Sequence, residues 1–197
     1  MKEPRKKYKT LNIRCTDSNC PENLHCFRAS KKMIKAGEKG LCRTCKVSLV
    51  DWERVHKQEI DDVSYTFQTM KFEMIRHHFW HIELDQHAIN YAKRKGKVAI
   101  KAAIEKRLRQ SIGDAEPFKD GTQTPMKDNP ICYAQHATAT CCRKCLEYWH
   151  GIKAGVALTN PEIEYLSKLV GMYIEEKLPD LTDDGEYVPA IRDSESE

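Results

Sequence analysis

The run AQHATATCCRKCLEYWHGI, residues 134–152, decides how this chain is read. It sets Cys141, Cys142 and Cys145 between His136 and His150, with Trp149 beside the second histidine. Soft metal ligands at that density are hard to explain as core packing, so the run reads as a metal site. With a strand-to-helix junction at 140–142, Cys142 and Cys145 lie three apart in the first helical turn, on one face. The amides and dipole of a helix N-terminus lower a thiol pKa, which suits both ligation and reactivity. The expected ligands of this central site are Cys142, Cys145, His136 and His150, with Cys141 as the alternative. His136 is close enough to fold back, whereas His150 reaches the same ion only if the helix turns near 149–151. Zinc is the expected ion. An iron–sulfur cluster held wholly by sulfur would need Cys132 as well.

A second cysteine group stands upstream. Cys15 and Cys20 are followed by PENLHC, with His25 and Cys26, and by CRTC, with Cys42 and Cys45. A C-x-x-C turn curls the backbone so that two thiolates meet one ion, and an upstream pair completes a tetrahedron. Cys15, Cys20, Cys42 and Cys45 are the expected ligands, with His25 as the alternative; Cys26 fits a small buried hydrophobe. Four ligands and no open position describe a structural zinc ion. A stretch this short and polar has little core, so the ion would supply much of its folding energy. The spacing resembles a zinc ribbon, which predicts a small β unit over 11–60.

Outward from these clusters the pattern turns helical. Val63, Phe67, Met70 and Met74 recur at spacings of four and three, and Ile75 and Phe79 continue the apolar side. His77, His78, His81 and His87 crowd the turn that follows. Asp85 is placed to cap a helix through Ala92 and Gly96 to stop it. A further helix over 98–110 turns Ile100, Ala103, Ile104 and Leu108 inward. Lys93, Arg94, Lys95, Lys97 and Lys101 gather on its outer face and the preceding turn, a candidate nucleic-acid-binding surface that Arg143 and Lys144 extend. A solvated helix face is the competing reading. Residues 117–130 read as a loop by their Pro, Gly, Asp and Asn content, and 131–134 as a short extended run. Asn160 and Pro161 mark a helix start, with Ile163, Leu166, Val170 and Ile174 its buried side.

The expected fold is mainly α with a small N-terminal zinc-ribbon-like β unit, α+β overall. Its parts are a basic disordered arm over 1–10, the ribbon module over 11–60, a mainly helical domain with the Cys/His cluster over 61–178, and an acidic disordered tail over 179–197. Composition narrows the setting. Nine cysteines, an odd count, leave one thiol over in any all-disulfide scheme. The basic N-terminus is followed by no apolar stretch, so no secretory leader is expected, and a reducing cytoplasmic setting favours metal over disulfides. No apolar run approaches the roughly 18–20 residues of a membrane helix. A net charge of +4 is too small to name a partner, and its clustering on one helix says more.

The run 135–152, with DGTQTP at 120–125, resembles a bacterial family of uncharacterised proteins, the domain of unknown function 4186 family, over residues 84–178. His136, Thr138, Thr140, Cys141, Cys142, Arg143, Cys145, Leu146, Trp149, His150 and Ile152 sit on its motif positions. Cys132 lies outside the motif, which weakens the iron–sulfur idea. The resemblance brings no established activity, and the ribbon-like part looks like an extension to it.

Three functions compete. A nucleic-acid-associated zinc-binding module needs least: two zinc units, a basic helix and a basic arm, with Trp149 able to stack on a base. A metal-dependent enzyme would use the central ion as a Lewis acid on phosphodiesters, with Gln135, His136 and Thr138 lining its pocket. A zinc deaminase would pair His81-Ile82-Glu83 with Cys142 and Cys145, zinc on His81 and both cysteines, and Glu83 shuttling protons. Against the last stand the long gap, Cys141 in place of Pro, and the missing α/β alternation. Catalytic candidates are thus Glu83, His136 and His150, and whether the chain is an enzyme stays open at this level.

Overall fold

The computed structural model describes residues 13–118, 120 and 124–191. The basic arm expected over 1–10 lies outside them. Among the described residues the chain is mainly helical and has no β-strand. The helices are α1 (Lys31–Lys35), α2 (Trp52–His56), α3 (Val63–Thr69), α4 (Met74–His81), α5 (Gln86–Leu108), α6 (Pro130–Ala137), α7 (Arg143–His150) and α8 (Asn160–Lys177). None is long and apolar enough to cross a membrane.

The N-terminal β unit, and with it the α+β class, is therefore corrected. Strand-like pairing near the upstream cysteines is confined to isolated bridges, Asn19 with Leu24 and His25 with Glu73. The physical reason is that the backbone there closes tight turns. Asn23 N–H donates to Cys20 O at 3.0 Å, and Lys46 N–H to Cys42 O at 3.0 Å. Asn23 and Lys46 take left-handed φ values of 57° and 64°, which interrupt any extended run.

α8 is the central helix. Thr159 caps it in a full capping box with Glu162, one residue ahead of the cap expected at Asn160. Its buried side is wider than the expected stripe: Tyr165, Leu169 and Tyr173 join Ile163, Leu166, Val170 and Ile174. So broad an apolar face packs on three sides, against α3, α5 and α6.

α6 replaces the extended run expected over 131–134. Asn129 caps it by accepting from Ile131 N–H, Pro130 opens it, and all eight of its residues are buried. A helix apolar all round shows no period, and a short apolar run reads equally as strand.

α5 starts at the expected cap, Asp85, which accepts from Ala88 N–H at 2.9 Å. It breaks at Gly96, where φ is +67°. A Cβ there would stand 2.4 Å from the Asp184 carbonyl carbon, so the break and the close passage of 183–184 need glycine. The acidic segment expected to be disordered from 179 runs across this break. Lys97 N–H donates to Thr182 O at 2.8 Å, and Glu186 N–H to Lys93 O at 2.8 Å. The break exposes backbone groups that the segment pairs with. Residues 192–197 lie outside the described residues.

Candidate metal centres

Four upstream side chains converge. Cys20 stands at the start of a 3-10 turn, His25 in the bridge to Glu73, and Cys42 and Cys45 in the turn that Lys46 closes. Their ligand atoms all lie within 4.8 Å of one another. Cys20 Sγ and Cys42 Sγ are 3.8 Å apart, and Cys45 Sγ is 3.4 Å from His25 Nδ1. A tetrahedral zinc ion with sulfur at about 2.3 Å and nitrogen at about 2.0 Å sets sulfurs roughly 3.8 Å apart, and sulfur from nitrogen roughly 3.5 Å. These residues fit that ion. His25 Nε2–H donates to Asn23 Oδ1 at 3.0 Å, which orients the ring and leaves Nδ1 to face the sulfurs. Cys15, which the spacing favoured over His25, is exposed and stands outside the group. Its carbonyl accepts from Cys26 Sγ–H at 3.5 Å. Burial pushes the Cys42 thiol up, but the backbone of Cys26, Cys45 and Thr44, with His25, brings it down to about 6. Burial first, then hydrogen bonding to Cys45 and Cys42, pushes the Cys20 thiol up to about 11.

The central cysteines form a second group. Cys142 is the N-cap of α7, extended at φ −164° and ψ 163°, so Cys145 follows in the first turn. The element before it is the helix α6 and not a strand. Cys141, Cys142 and Cys145 have sulfurs within 4.8 Å of one another, and Cys141 and Cys145 are 3.5 Å apart. That spacing suits one ion. A polynuclear iron–sulfur cluster spreads its thiolates over several metal atoms, and Cys132 is buried in α6 outside the group. Hydrogen bonding to Cys141 lowers the Cys145 thiol, but Cys142 and burial outweigh it and push the group up to about 12. A metal bound here would displace protons from these thiols.

Neither expected histidine joins these sulfurs. His136 Nε2–H donates to Thr124 O at 2.9 Å, and its ring stacks on Phe79 with centroids 4.5 Å apart. Burial, above all, pushes His136 down to about 4. His150 Nε2–H donates to Thr138 O at 3.0 Å. Gln135 and Thr138 are likewise buried and hydrogen-bonded inward, to Thr140 O and Ala134 O. These residues hold the turn between α6 and α7. The deaminase arrangement does not assemble either: His81 and Glu83 are exposed at the end of α4, outside the cysteine group. His81 Nδ1–H donates to His77 O at 2.7 Å.

What stands against the central sulfurs is a cation. Arg76, fully buried on α4, donates from Nη2 to Cys145 Sγ at 3.4 Å and to Tyr148 OH at 3.0 Å. Its Nη1 donates to His136 O. Its Nε donates to Glu73 Oε2 at 3.1 Å, a buried ion pair. Glu73, also fully buried, accepts from Tyr148 OH at 3.0 Å, Trp149 Nε1–H at 2.5 Å and Phe27 N–H at 3.3 Å. The carboxylate is satisfied on every side, as a buried charge must be. Glu73 and Arg76 were not singled out from the sequence. Their signal was available: two opposite charges three apart inside the apolar run 70–80, on a face that should carry none.

The basic candidates divide. Arg143 is 1% exposed and donates to the carbonyls of Ile112 (3.0 Å), Lys153 (2.6 Å) and Val156 (2.6 Å). It clasps loops, and its burial removes it from any phosphate surface. Lys93, Arg94, Lys101 and Lys144 are exposed, while Lys95 and Lys97 are half-buried. A groove of about 560 Å³ opens between α5 and α8, where Lys101, Arg109 and Lys168 alternate with Glu105, Glu164 and Glu175.

Residues 64–175 match the family described as a domain of unknown function (DUF4186). The chain belongs to this family. The DUF4186 region thus holds α4 to α7 and nearly all of α8, with the three-cysteine group, and the four-residue group lies ahead of it. No solved structure matches the chain.

Proposed function

We propose that the chain is a zinc protein with two unlike centres, a closed structural one upstream and a working one at Cys141, Cys142 and Cys145. The observation that carries this is the ligand count. Four ligand atoms converge upstream, whereas three sulfurs converge centrally and neither His136 nor His150 stands in their group. An ion with three protein ligands keeps a position for an outside ligand, the mark of centres that do more than hold a fold. Bound there, zinc would supply Lewis acidity. The chain's own residues do the positioning: α7 presents the sulfurs from its first turn, and Arg76 offsets their negative charge. Metal analysis of the full chain tests the proposal. Two zinc ions per chain are expected, falling to one in Cys145→Ser. With cobalt in place of zinc, added imidazole should change the central absorption bands. Bands indifferent to any added ligand would mean that the fourth position is filled by the protein.

A second reading, a nucleic-acid-associated module, is favoured by Lys93, Arg94 and Lys101 exposed on α5 and Lys144 exposed on α7. Set against it, Arg143 is lost to the surface, and the acidic segment 183–186 lies beside Lys93 and Lys97. Binding to a labelled oligonucleotide that weakens steeply with salt supports this reading, and no binding at low salt ends it.

A further inference from the structure

We infer that Glu73 and Arg76 tie the two metal centres into one unit, so that occupancy of the upstream centre positions the sulfurs of the central one. The inference rests on the two-centre reading above and adds to it a pair of positioning residues.

The connection is continuous and short. His25, an upstream ligand, is held by its backbone: its N–H donates to Phe72 O at 2.7 Å, and its carbonyl accepts from Met74 N–H at 2.8 Å. Glu73 is the residue between those two partners. Phe27, two residues past His25, donates its N–H to Glu73 Oε1 at 3.3 Å. The same carboxylate holds Arg76 Nε at 3.1 Å, and the far end of that guanidinium reaches Cys145 Sγ at 3.4 Å. Trp149 and Tyr148, on the helix that carries Cys145, bond to Glu73 as well. One carboxylate therefore touches the segment bearing an upstream ligand and the helix bearing the central ones.

Packing alone would not make this a coupling. Three features do. Glu73 and Arg76 are fully buried, so water cannot replace a donor that moves away. The segment 13–26 has few buried side chains of its own, and its order depends on the ion it binds. Arg76 supplies a charged hydrogen bond to a coordinating sulfur, the kind of outer contact that sets metal affinity. Stripping the upstream ion releases the His25 ring and the segment 13–26 that leads into it, which loosens the backbone pairing around Glu73 and leaves Arg76 less firmly aimed at Cys145. Linkage makes the effect reciprocal: central occupancy tightens the upstream centre by the same factor.

The test is chelator competition for cobalt on the full chain, reading each centre by its own absorption bands. In His25→Ala the affinity of the central centre should fall about ten-fold or more, the range for lost outer-shell contacts. Arg76→Lys keeps the buried charge, and it should weaken the upstream centre too, although Arg76 touches none of its ligands. Upstream affinity within two-fold of the parent in Arg76→Lys overturns the coupling, and this holds even if His25→Ala fails to fold. A parent chain that binds one metal ion at saturation would instead sink the two-centre reading itself.

Discussion

The two cysteine clusters use the same chemistry and differ in what stands beside the sulfurs. Upstream, a polar segment with little core folds back until a histidine meets three sulfurs, with Asn23 steering the ring. In the centre, the sulfurs sit at a helix start inside a packed helical core, and Cys145 is contacted by Arg76, which has no lone pair to offer a metal. One centre is closed by a ligand, the other backed by a charge. On the proposed reading the number of ligands follows from the surroundings: a loop without a core would need an ion to hold it, whereas α7 is already held by Trp149 and Leu146 in the core and could leave a position open.

The largest effect should come from the residue that serves both clusters. Glu73→Ala leaves the Arg76 charge buried without its carboxylate, and it strips Trp149, Tyr148 and Phe27 of their acceptor. Breaking a buried ion pair from one side costs about 3–5 kcal/mol. Urea unfolding of the full chain should show a loss of that size. A loss near that of an exposed pair, such as Lys46 with Glu38, would show that Glu73 is not the shared support.

A smaller effect separates the ligand histidine from the core ones. His150 is fully buried, and burial, chiefly, pushes it down from the usual 6.5 to about 3, the nearby charges of Arg76 and His56 adding to the fall and the bond to Thr138 opposing it. Between those values the unfolded chain takes up a proton that the folded one does not. The contribution of His150 is therefore complete above pH 6.5 and is lost as pH falls toward 3, by about 1.4 kcal/mol per pH unit for one such proton. Equilibrium unfolding between pH 4 and 6 should show a slope shallower by about one proton in His150→Gln than in the parent. Metal release affects both chains alike and cancels in the difference. Equal slopes would mean that His150 takes up its proton in the folded chain.

The same contrast explains what the sequence disclosed. Ligand chemistry was legible: cysteine density pointed to both clusters, and Asp85, Gly96 and the apolar stripe of α8 were readable from local rules. What was hidden depends on distant partners. α6 carries no period because it is buried all round, so it reads as strand. Arg143 looks like a surface cation in CCRKC, and only the carbonyls of Ile112, Lys153 and Val156 reveal it as a clasp. The histidines flanking the cysteines look like ligands by spacing alone, and only the folded chain shows that they stand outside the group of converging sulfurs. The acidic segment looks unstructured until the break at Gly96 gives it backbone to pair with.

The finest test concerns which upstream cysteine matters. The spacing made Cys15 and Cys20 a pair, yet a tetrahedron has four corners, and Cys20, His25, Cys42 and Cys45 already supply them. Cys15 is exposed, and its contact to the cluster region runs through its backbone carbonyl, which accepts from Cys26. A side chain that contributes neither ligand nor core should be replaceable. Cys15→Ser should bind as much zinc as the parent and unfold within about 0.5 kcal/mol of it, the usual range for a surface substitution. Loss of an equivalent of zinc in Cys15→Ser, with His25→Ala retaining it, would exchange the two residues and make the upstream centre an all-cysteine site. The path from His25 through Glu73 to Cys145 would then begin at a residue that holds no metal, and the coupling of the two centres would lose its first link.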